Sequence, residues 1–266
     1  MAQQTGRNIP LSLPRRWIGD LLHFAGRIPT VPVERTMDLS EVQEVRRSVG
    51  ISWPALFLKA FGLAAQKHPQ LRQAFLAYPW SRLYEHSQSV ASVAIERQYA
   101  GEPAVFFGQI NAPESQRLDV LDHHLRNYKR EPISSFGNFR RLIKLSRLPL
   151  WVRRFAWWAS LNWSGAKRAK RLGTFGLSVY SGLGASSLHP ISPLSFLLNY
   201  GVMDEHGRLT VRLIYDHRVV DGAVVARALA GIEAALVGPL LDELISYEHV
   251  LLGSDHDVRE ELLLAG

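Results

Sequence analysis

Cysteine is absent from this chain of 266 residues, and so are the glycine-rich motifs that hold nucleotide phosphates. Without cysteine, disulfide bonds, thiolate metal sites and cysteine nucleophiles are excluded. No strand pattern is followed by G-x-G-x-x-G, and no G-x-x-x-x-G-K-[ST] occurs, so neither a dinucleotide site nor a P-loop is supported. His123 and His124 are adjacent on a polar helix and do not share a face. We therefore predict no metal site.

Long hydrophobic runs and a secretory signal are also missing. No stretch of 18 consecutive apolar residues occurs, and the opening MAQQTGRNIPLSLPRRW lacks the basic-then-apolar layout of a signal peptide. Hydrophobic residues make up 47% and charged residues 21%, which is typical of a soluble globular protein. Neither a Gly/Ser-rich linker nor an internal repeat divides the chain. The sequence predicts a cytoplasmic protein with one domain over residues 1–266.

Acidic residues are lacking from residues 136–173, which we call the basic segment. The segment contains ten Lys or Arg and no Asp or Glu, so the net charge of +7 becomes 7 − 10 = −3 for the remainder. Four of the seven tryptophans lie in the same segment, at positions 151, 157, 158 and 163. The positive charge of the protein is therefore a property of one aromatic-rich insertion.

Three roles remain open for the basic segment. In FRRLIKLSRL, helical spacing separates a basic face from an apolar one, the basic residues being Arg140, Arg141, Lys144 and Arg147 and the apolar ones Phe139, Leu142 and Ile143. That pattern is typical of an interfacial helix, which predicts a peripheral contact with a membrane or a lipid-like substrate. The alternatives are an oligomer interface with arginines at its rim, or a site for the phosphates of CoA or nucleic acid. No nucleic-acid-binding motif accompanies the charge, so we predict no nucleic-acid partner.

Helix and strand patterns alternate along the chain, which indicates an α/β fold. SWPALFLKAFGLAAQKHP predicts a buried helix, and two strand patterns flank a turn at Gly101. Near the C-terminus, SFLLNYGVM and LTVRLIYDH form a plausible hairpin around DEHG. A last long helix is predicted to start near Asp221.

The junction between that strand and that helix, RLIYDHRVVDGAVVARAL, carries His217, Asp221 and Gly222. The backbone of a buried strand can fix the orientation of a histidine at its end. The usual pKa of histidine suits a general base at neutral pH. Asp221 can cap the helix or form a buried ion pair with an arginine. Gly222 allows a close backbone approach. The spacing alone is also compatible with a purely structural histidine beside an ordinary helix cap.

YDHRVVDGA resembles the H-x-x-x-D-G motif of the chloramphenicol-acetyltransferase-like superfamily, and more closely the catalytic core of dihydrolipoamide acyltransferases. The resemblance extends in the same order through PRRWIGDLLHFAGRIPTVPVERTMDLSEV, ISWPALFLKAFGLAAQKHPQLRQAF and GTFGLSVYSGLGASSLHPISPLSFLLNYG, over about residues 10–250. It implies a two-layer sandwich of a mixed sheet with helices, assembled as a homotrimer or a higher multiple of three. The basic segment has no counterpart of its length in the family.

The resemblance also implies roles for individual residues. His217 is expected to be the general base, without an acidic residue to orient it, and Ser178 the hydroxyl that stabilises the oxyanion. Ser181 is the alternative donor. His217 and Ser178 are expected to come from different subunits, so that a monomer is inactive.

Asp221 is expected to form a structural ion pair with Arg16, or alternatively with Arg15, and Gly222 to support the same turn. The residues that contact CoA in the family have no one-to-one matches here. The strand EPAVFFGQI also departs from the family pattern, which leaves the acceptor open.

Lipoyl and subunit-binding domains are not evident ahead of the predicted core. A lipoyl carrier would then act in trans. The resulting hypothesis is an acyltransferase that moves an acyl group from acyl-CoA to a thiol, such as dihydrolipoamide, or to a hydroxyl. The alternative is a non-catalytic scaffold of the same fold that binds a partner or a membrane through the basic segment.

Overall fold

A computed structural model describes residues 6–250, which are organised around a six-stranded mixed sheet with strand order β1-β8-β7-β6-β4-β5. The strands of this sheet are β1 (Thr30–Asp38), β4 (Val90–Tyr99), β5 (Glu102–Asn111), β6 (Phe175–Leu177), β7 (Phe196–Tyr200) and β8 (Arg208–Asp216). β6 is parallel to both of its neighbours, and the other pairs are antiparallel. A separate hairpin, β2 (Gln73–Leu76) with β3 (Arg82–Glu85), was not predicted.

Eight helices accompany the strands in the described part of the chain. They are α1 (Leu13–Ala25), α2 (Ser40–Val49), α3 (Trp53–Lys67), α4 (Leu118–Arg130), α5 (Gly137–Ser146), α6 (Leu150–Asn162), α7 (Gly165–Leu172) and α8 (Gly222–Val237), and residues 239–250 continue as helix after α8. The predicted α/β class and the mixed sheet are confirmed.

The main core lies on one face of the sheet, where α3 and α8 pack against each other. Almost every residue from Ala55 to Ala65 is buried, because the helix lies between the sheet, α4 and α8. Helical residues Gly222–Val250 have the length and hydropathy of a membrane span. Val225, Leu229 and Ile232 belong instead to the main core, so this stretch is a core helix.

The two predicted hairpins position the strands that carry the site. β7 and β8 are antiparallel, and their turn at Gly207 has a φ of 76°. β4 and β5 are joined at Ala100 and Gly101, both with positive φ. Ser92 of β4 pairs with Gly176 of β6, so the short strand β6 ends in the middle of the sheet. Ser178 therefore lies directly after the carboxyl end of β6.

The basic segment folds as α5, α6 and α7 and packs on the β5 side of the sheet and on α1. Phe139 is fully buried, and Leu142 and Ile143 are packed against the same cluster as Trp17 and Phe106. The prediction of a basic and an apolar face on α5 is confirmed, but the expectation that its apolar face contacts a membrane is wrong. That face is covered by the protein, because the pattern defines which side is buried and not what buries it.

Several arginines of the basic segment hold the structure together. Arg153 donates from Nε to Oδ2 of the buried Asp20 at 2.7 Å, and Arg154 lies 3.0 Å from the other oxygen of that carboxylate. Arg168 is buried and donates to the carbonyls of Phe75, Leu161 and Pro193. Burial lowers the pKa of Arg168 to about 10, so it stays charged at neutral pH.

Candidate functional site

His217 is presented by a rigid turn at the end of β8. The buried carboxylate of Asp216 accepts hydrogen bonds from the backbone N–H, Nε and Nη2 of Arg218, at 2.8–3.0 Å. The Arg218 guanidinium lies 4.4 Å from the centre of the Phe75 ring. The N–H of His217 donates to the carbonyl of Pro29 at 3.0 Å. Backbone and flanking side chains are thus fixed, while the His217 side chain is 48% exposed.

Asp221 lies beside His217 and not beside an arginine. Its Oδ1 is 3.6 Å from Nδ1 of His217, and its side chain is 86% exposed. It is the N-cap residue of α8 and caps through its backbone carbonyl, which accepts from Val224, without a side-chain cap bond. At 3.6 Å the two atoms are too far apart for a hydrogen bond. Asp221 thus lies near His217 without a bond that would orient the imidazole, and the expectation that no acidic residue orients it stays a prediction.

The predicted ion pair between Asp221 and Arg16 is not formed within the chain. Nε of Arg16 donates to the carbonyl of Leu11 at 3.1 Å, in the first turn of α1. The alternative partner, Arg15, is exposed and lines the cavity at Ser178 instead. Both arginines lie at the start of α1, and neither forms an ion pair with Asp221. The carboxylate therefore remains in solvent.

Gly222 is the first residue of α8. A Cβ atom at this position would lie 3.4 Å from the hydroxyl oxygen of Tyr215, which is an ordinary van der Waals distance. Burial raises the pKa of Tyr215, and the charge of Asp221 adds to the effect, so the hydroxyl is neutral at physiological pH. The predicted close backbone approach at Gly222 is therefore not made within the described residues.

Ser178 follows β6 and is held by its backbone. Its N–H donates to the carbonyl of Leu198 at 3.1 Å, and its own carbonyl accepts from the Asn199 amide. The residue lines a cavity of about 470 Å³. Ser181 lies beyond a tight turn and lines a different cavity, of about 700 Å³. The structure thus separates the two candidate oxyanion donors into adjoining cavities that meet at residues 177–183.

His217 lines neither of these two cavities. A single chain therefore does not bring the predicted base and the predicted oxyanion donor to one pocket. The loop between β6 and β7, which begins at Ser178, is rich in exposed apolar side chains, which are Tyr180, Leu183, Leu188 and Ile191.

A group of basic residues on the 700 Å³ cavity was not identified from the sequence. Arg46, Arg126, Lys129 and Arg130 contribute to its lining, next to Trp53. Arg46 donates to the carbonyl of Ile51 and stacks over the Trp53 ring, 5.1 Å from its centre. These residues come from α2 and α4, which are far apart in the chain, so no local motif reveals them.

No protein-family profile and no curated protein sequence matches this chain. Solved structures do match. A probable dihydrolipoamide acetyltransferase from Listeria monocytogenes is 18% identical, with a TM-score of 0.63, over 87% of this chain and 94% of the other. A dihydrolipoamide acetyltransferase from Azotobacter vinelandii, whose catalytic mechanism was investigated through a serine, a histidine and an asparagine, is 17% identical, with a TM-score of 0.63, over 89% and 93%.

A chloramphenicol acetyltransferase is 14% identical, with a TM-score of 0.52, over 85% of this chain and 96% of the other. At these identities the likeness concerns the fold. The chain therefore has the chloramphenicol-acetyltransferase-like fold, in the form found in the catalytic cores of dihydrolipoamide acetyltransferases.

Proposed function

We propose that this protein is an acyltransferase that moves an acyl group from acyl-CoA to a thiol or hydroxyl acceptor. The observation that carries the proposal is His217, fixed by its backbone and by the Asp216–Arg218 pair but half exposed, at a strand–helix junction of an acyltransferase fold. The Azotobacter enzyme adds support, because its histidine and asparagine are four positions apart, as are His217 and Asp221.

The chemistry follows from these groups. Nε2 of His217 takes the proton of the acceptor thiol or hydroxyl, and the resulting anion attacks the thioester carbonyl carbon. The tetrahedral oxyanion accepts a hydrogen bond from Ser178, a contact typically worth about 3 kcal/mol in the transition state. The carbon–sulfur bond then breaks, and the CoA thiolate leaves with the proton held by His217.

The active unit is a homotrimer or a higher multiple of three, with His217 of one subunit facing Ser178 of its neighbour. Exposed Leu183, Leu188 and Ile191 beside the Ser178 cavity form an apolar surface that a second copy can cover. The same interface places a wall on the open side of that cavity. Water is then excluded from the thioester, which strengthens the hydrogen bond from Ser178.

CoA is assigned to the 700 Å³ cavity. Arg126 pairs with Asp122 on the same wall, which leaves Lys129 and Arg130 as the cations that suit the phosphates of CoA. The cavity meets the Ser178 cavity at residues 177–183, so a pantetheine arm bound there can deliver its thioester to the serine. The acceptor then enters from the side of His217.

The test is acyl transfer to dihydrolipoamide, measured by mass spectrometry with a panel of acyl-CoAs. Acyl-dihydrolipoamide is expected, which is the result for an enzyme served by a lipoyl carrier in trans. CoA binding without transfer would move the acceptor to a hydroxyl or another thiol. Neither binding nor transfer would refute the proposal and leave a non-catalytic scaffold.

Ser178→Ala is expected to lower kcat by about 10²- to 10³-fold with little change in KM, because the hydroxyl acts on the oxyanion and not on the bound ground state. Ser181→Ala is the comparison variant: because Ser181 lines the cavity assigned to CoA, any effect is expected in the KM for acyl-CoA and not in kcat. Steady-state kinetics with one acyl-CoA checks both variants. Loss of activity only in Ser181→Ala would transfer the oxyanion role to that residue.

A peripheral membrane contact is a second proposal, favoured by the exposed face of α6. Trp151 and Phe155 are 75% and 61% exposed, and Phe155 stacks on Trp158, which contacts Trp163. All charged residues of the basic segment are Lys or Arg. Exposed aromatics beside positive charge suit the interface of an anionic bilayer.

Flotation with anionic liposomes is expected to recover the protein at low salt and less of it at high salt, because surface electrostatics are screened. A double variant, Trp151→Ser with Phe155→Ser, is expected to lose flotation at both salt concentrations. Val120→Ser, at an exposed position of α4, is the control. Equal flotation of the double variant and the wild type would refute the contact, and a change of oligomeric state in the double variant would assign α6 to a subunit interface.

A further inference from the structure

A mostly apolar cavity of about 120 Å³ lies between α1, α5 and α6. Its walls include one leucine of α1, two of α5 and two residues of α6, which are Leu21, Leu142, Leu145, Ala156 and Trp157. An engineered apolar cavity of about 150 Å³ stays dry and accommodates benzene. The distal carbons of a chain of about six carbons therefore fit the space between these helices.

This cavity adjoins the Ser178 cavity. The two share Leu21, Ser92, Phe107, Ser192 and Leu194 as wall residues. Ser92 pairs with Gly176, and side chains alternate along a strand, so Ser92 and Ser178 belong to the same face of the sheet. A chain whose carbonyl oxygen reaches Ser178 can continue past Ser92 and Leu194 into the apolar cavity.

Two polar side chains on the cavity wall, Asn138 and Ser160, have protein partners, and Arg141, also on the wall, is exposed and can turn its guanidinium to water. The Asn138 amide donates to the carbonyl of Phe107. The Ser160 hydroxyl donates to the carbonyl of Ala156 at 2.7 Å and accepts from Arg171 at 3.0 Å. Because these groups are satisfied, an aliphatic occupant leaves no lost hydrogen bond among them. The chemistry of the cavity thus favours hydrocarbon over a polar ligand.

We infer that this cavity binds the end of the acyl chain, and that the basic segment, through α5 and α6, selects acyl-CoAs of about six carbons over acetyl-CoA. The inference rests on the proposed acyl transfer and adds its donor class. It also gives the basic segment a role in the protein interior, distinct from any membrane contact of the outer face of α6.

The test is calorimetric titration of acetyl-, butyryl-, hexanoyl- and octanoyl-CoA into the intact oligomer. Affinity is expected to rise roughly fourfold per added methylene up to about hexanoyl, and then to level off. Ala156→Leu fills the cavity and is expected to weaken hexanoyl-CoA binding at least about tenfold, with acetyl-CoA binding unchanged. Ala159→Leu makes the same change on α6 outside the cavity wall and is expected to follow the wild type.

Leu142→Phe is a second filling variant, for use if Ala156→Leu fails to fold. A filling variant that folds and keeps the wild-type chain-length profile would overturn the inference. Binding is measured without acceptor, so it is independent of turnover. Chain-length-dependent binding without transfer to any thiol or hydroxyl acceptor contradicts the proposed acyl transfer alone, whereas transfer with no chain-length dependence contradicts the acyl cavity alone.

Discussion

His217→Ala is expected to lower kcat by at least about 100-fold and to leave the oligomer and its thermal stability intact. Loss of a positioned general base typically costs 10²- to 10⁴-fold. The fold should tolerate the change, because the imidazole is half exposed and the bond to Pro29 is made by the backbone N–H. Kinetics and size-exclusion chromatography check the two halves of the prediction. His123→Ala, at an exposed position of α4, is the control.

Mixed oligomers test where the two halves of the site come from. If His217 and Ser178 meet across an interface, a refolded equal mixture of His217→Ala and Ser178→Ala chains contains some sites with both residues intact. Random mixing makes this about one half times one half, or about one quarter of the sites in a cyclic oligomer. Activity well above that of either parent is therefore expected. No gain on mixing would mean that each chain holds a complete site, contrary to the geometry of the separate chain.

Features that depend on residues close together in the chain are predictable from the sequence. The turn that carries His217 is predictable because a strand pattern, a motif and a helix pattern follow one another within RLIYDHRVVDGAVVARAL. The helices α3 and α8 are predictable from their apolar runs, which the core absorbs on nearly all sides. In these elements the residues that determine the structure are neighbours in the chain.

Features that depend on distant partners were missed or misassigned. The expected partner of Asp221 is an arginine some two hundred residues earlier, and the structure gives Arg16 to a carbonyl five residues away instead. The amphipathic pattern of α5 predicts the buried side correctly, but only the fold shows that Trp17 and Phe106 cover it. The basic residues near Trp53 converge from separate helices, so their shared cavity has no signature in the sequence.

Asp20 is the clearest case of such a distant partner, and it explains how the basic segment is attached. Its carboxylate is 1% exposed and faces Arg153, 133 positions later in the chain, together with Arg154. The side chain of Arg153 is only 10% exposed. The pair joins α1 to α6, and these two helices form opposite walls of the 120 Å³ cavity through Leu21 and Trp157. A change at Asp20 should therefore affect both stability and acyl-chain selection.

Asp20→Asn is expected to destabilise the fold by about 3–5 kcal/mol, because it leaves the buried guanidinium of Arg153 without its counter-charge. For a chain of this size that corresponds to a drop in Tm of roughly 6 to 20 °C in a reversible melt. Glu34→Gln removes the charge from the pair with Arg212, whose glutamate is 61% exposed, and is expected to cost at most about 1 kcal/mol. A drop no larger than that of Glu34→Gln would contradict the prediction.

A double variant separates the unpaired charge from simple loss of packing. Asp20→Leu with Arg153→Met removes both charges and keeps the volume, and buried pairs replaced in this way are often as stable as the original. Arg154 also contacts Asp20, and two of its guanidinium nitrogens are buried, so a triple variant that adds Arg154→Met is measured alongside. Recovery of Tm in the double variant, with hexanoyl-CoA binding restored alongside, would show that the ion pair serves to hold α6 on α1. Recovery of Tm without recovery of binding would show that the charges also fix the shape of the cavity.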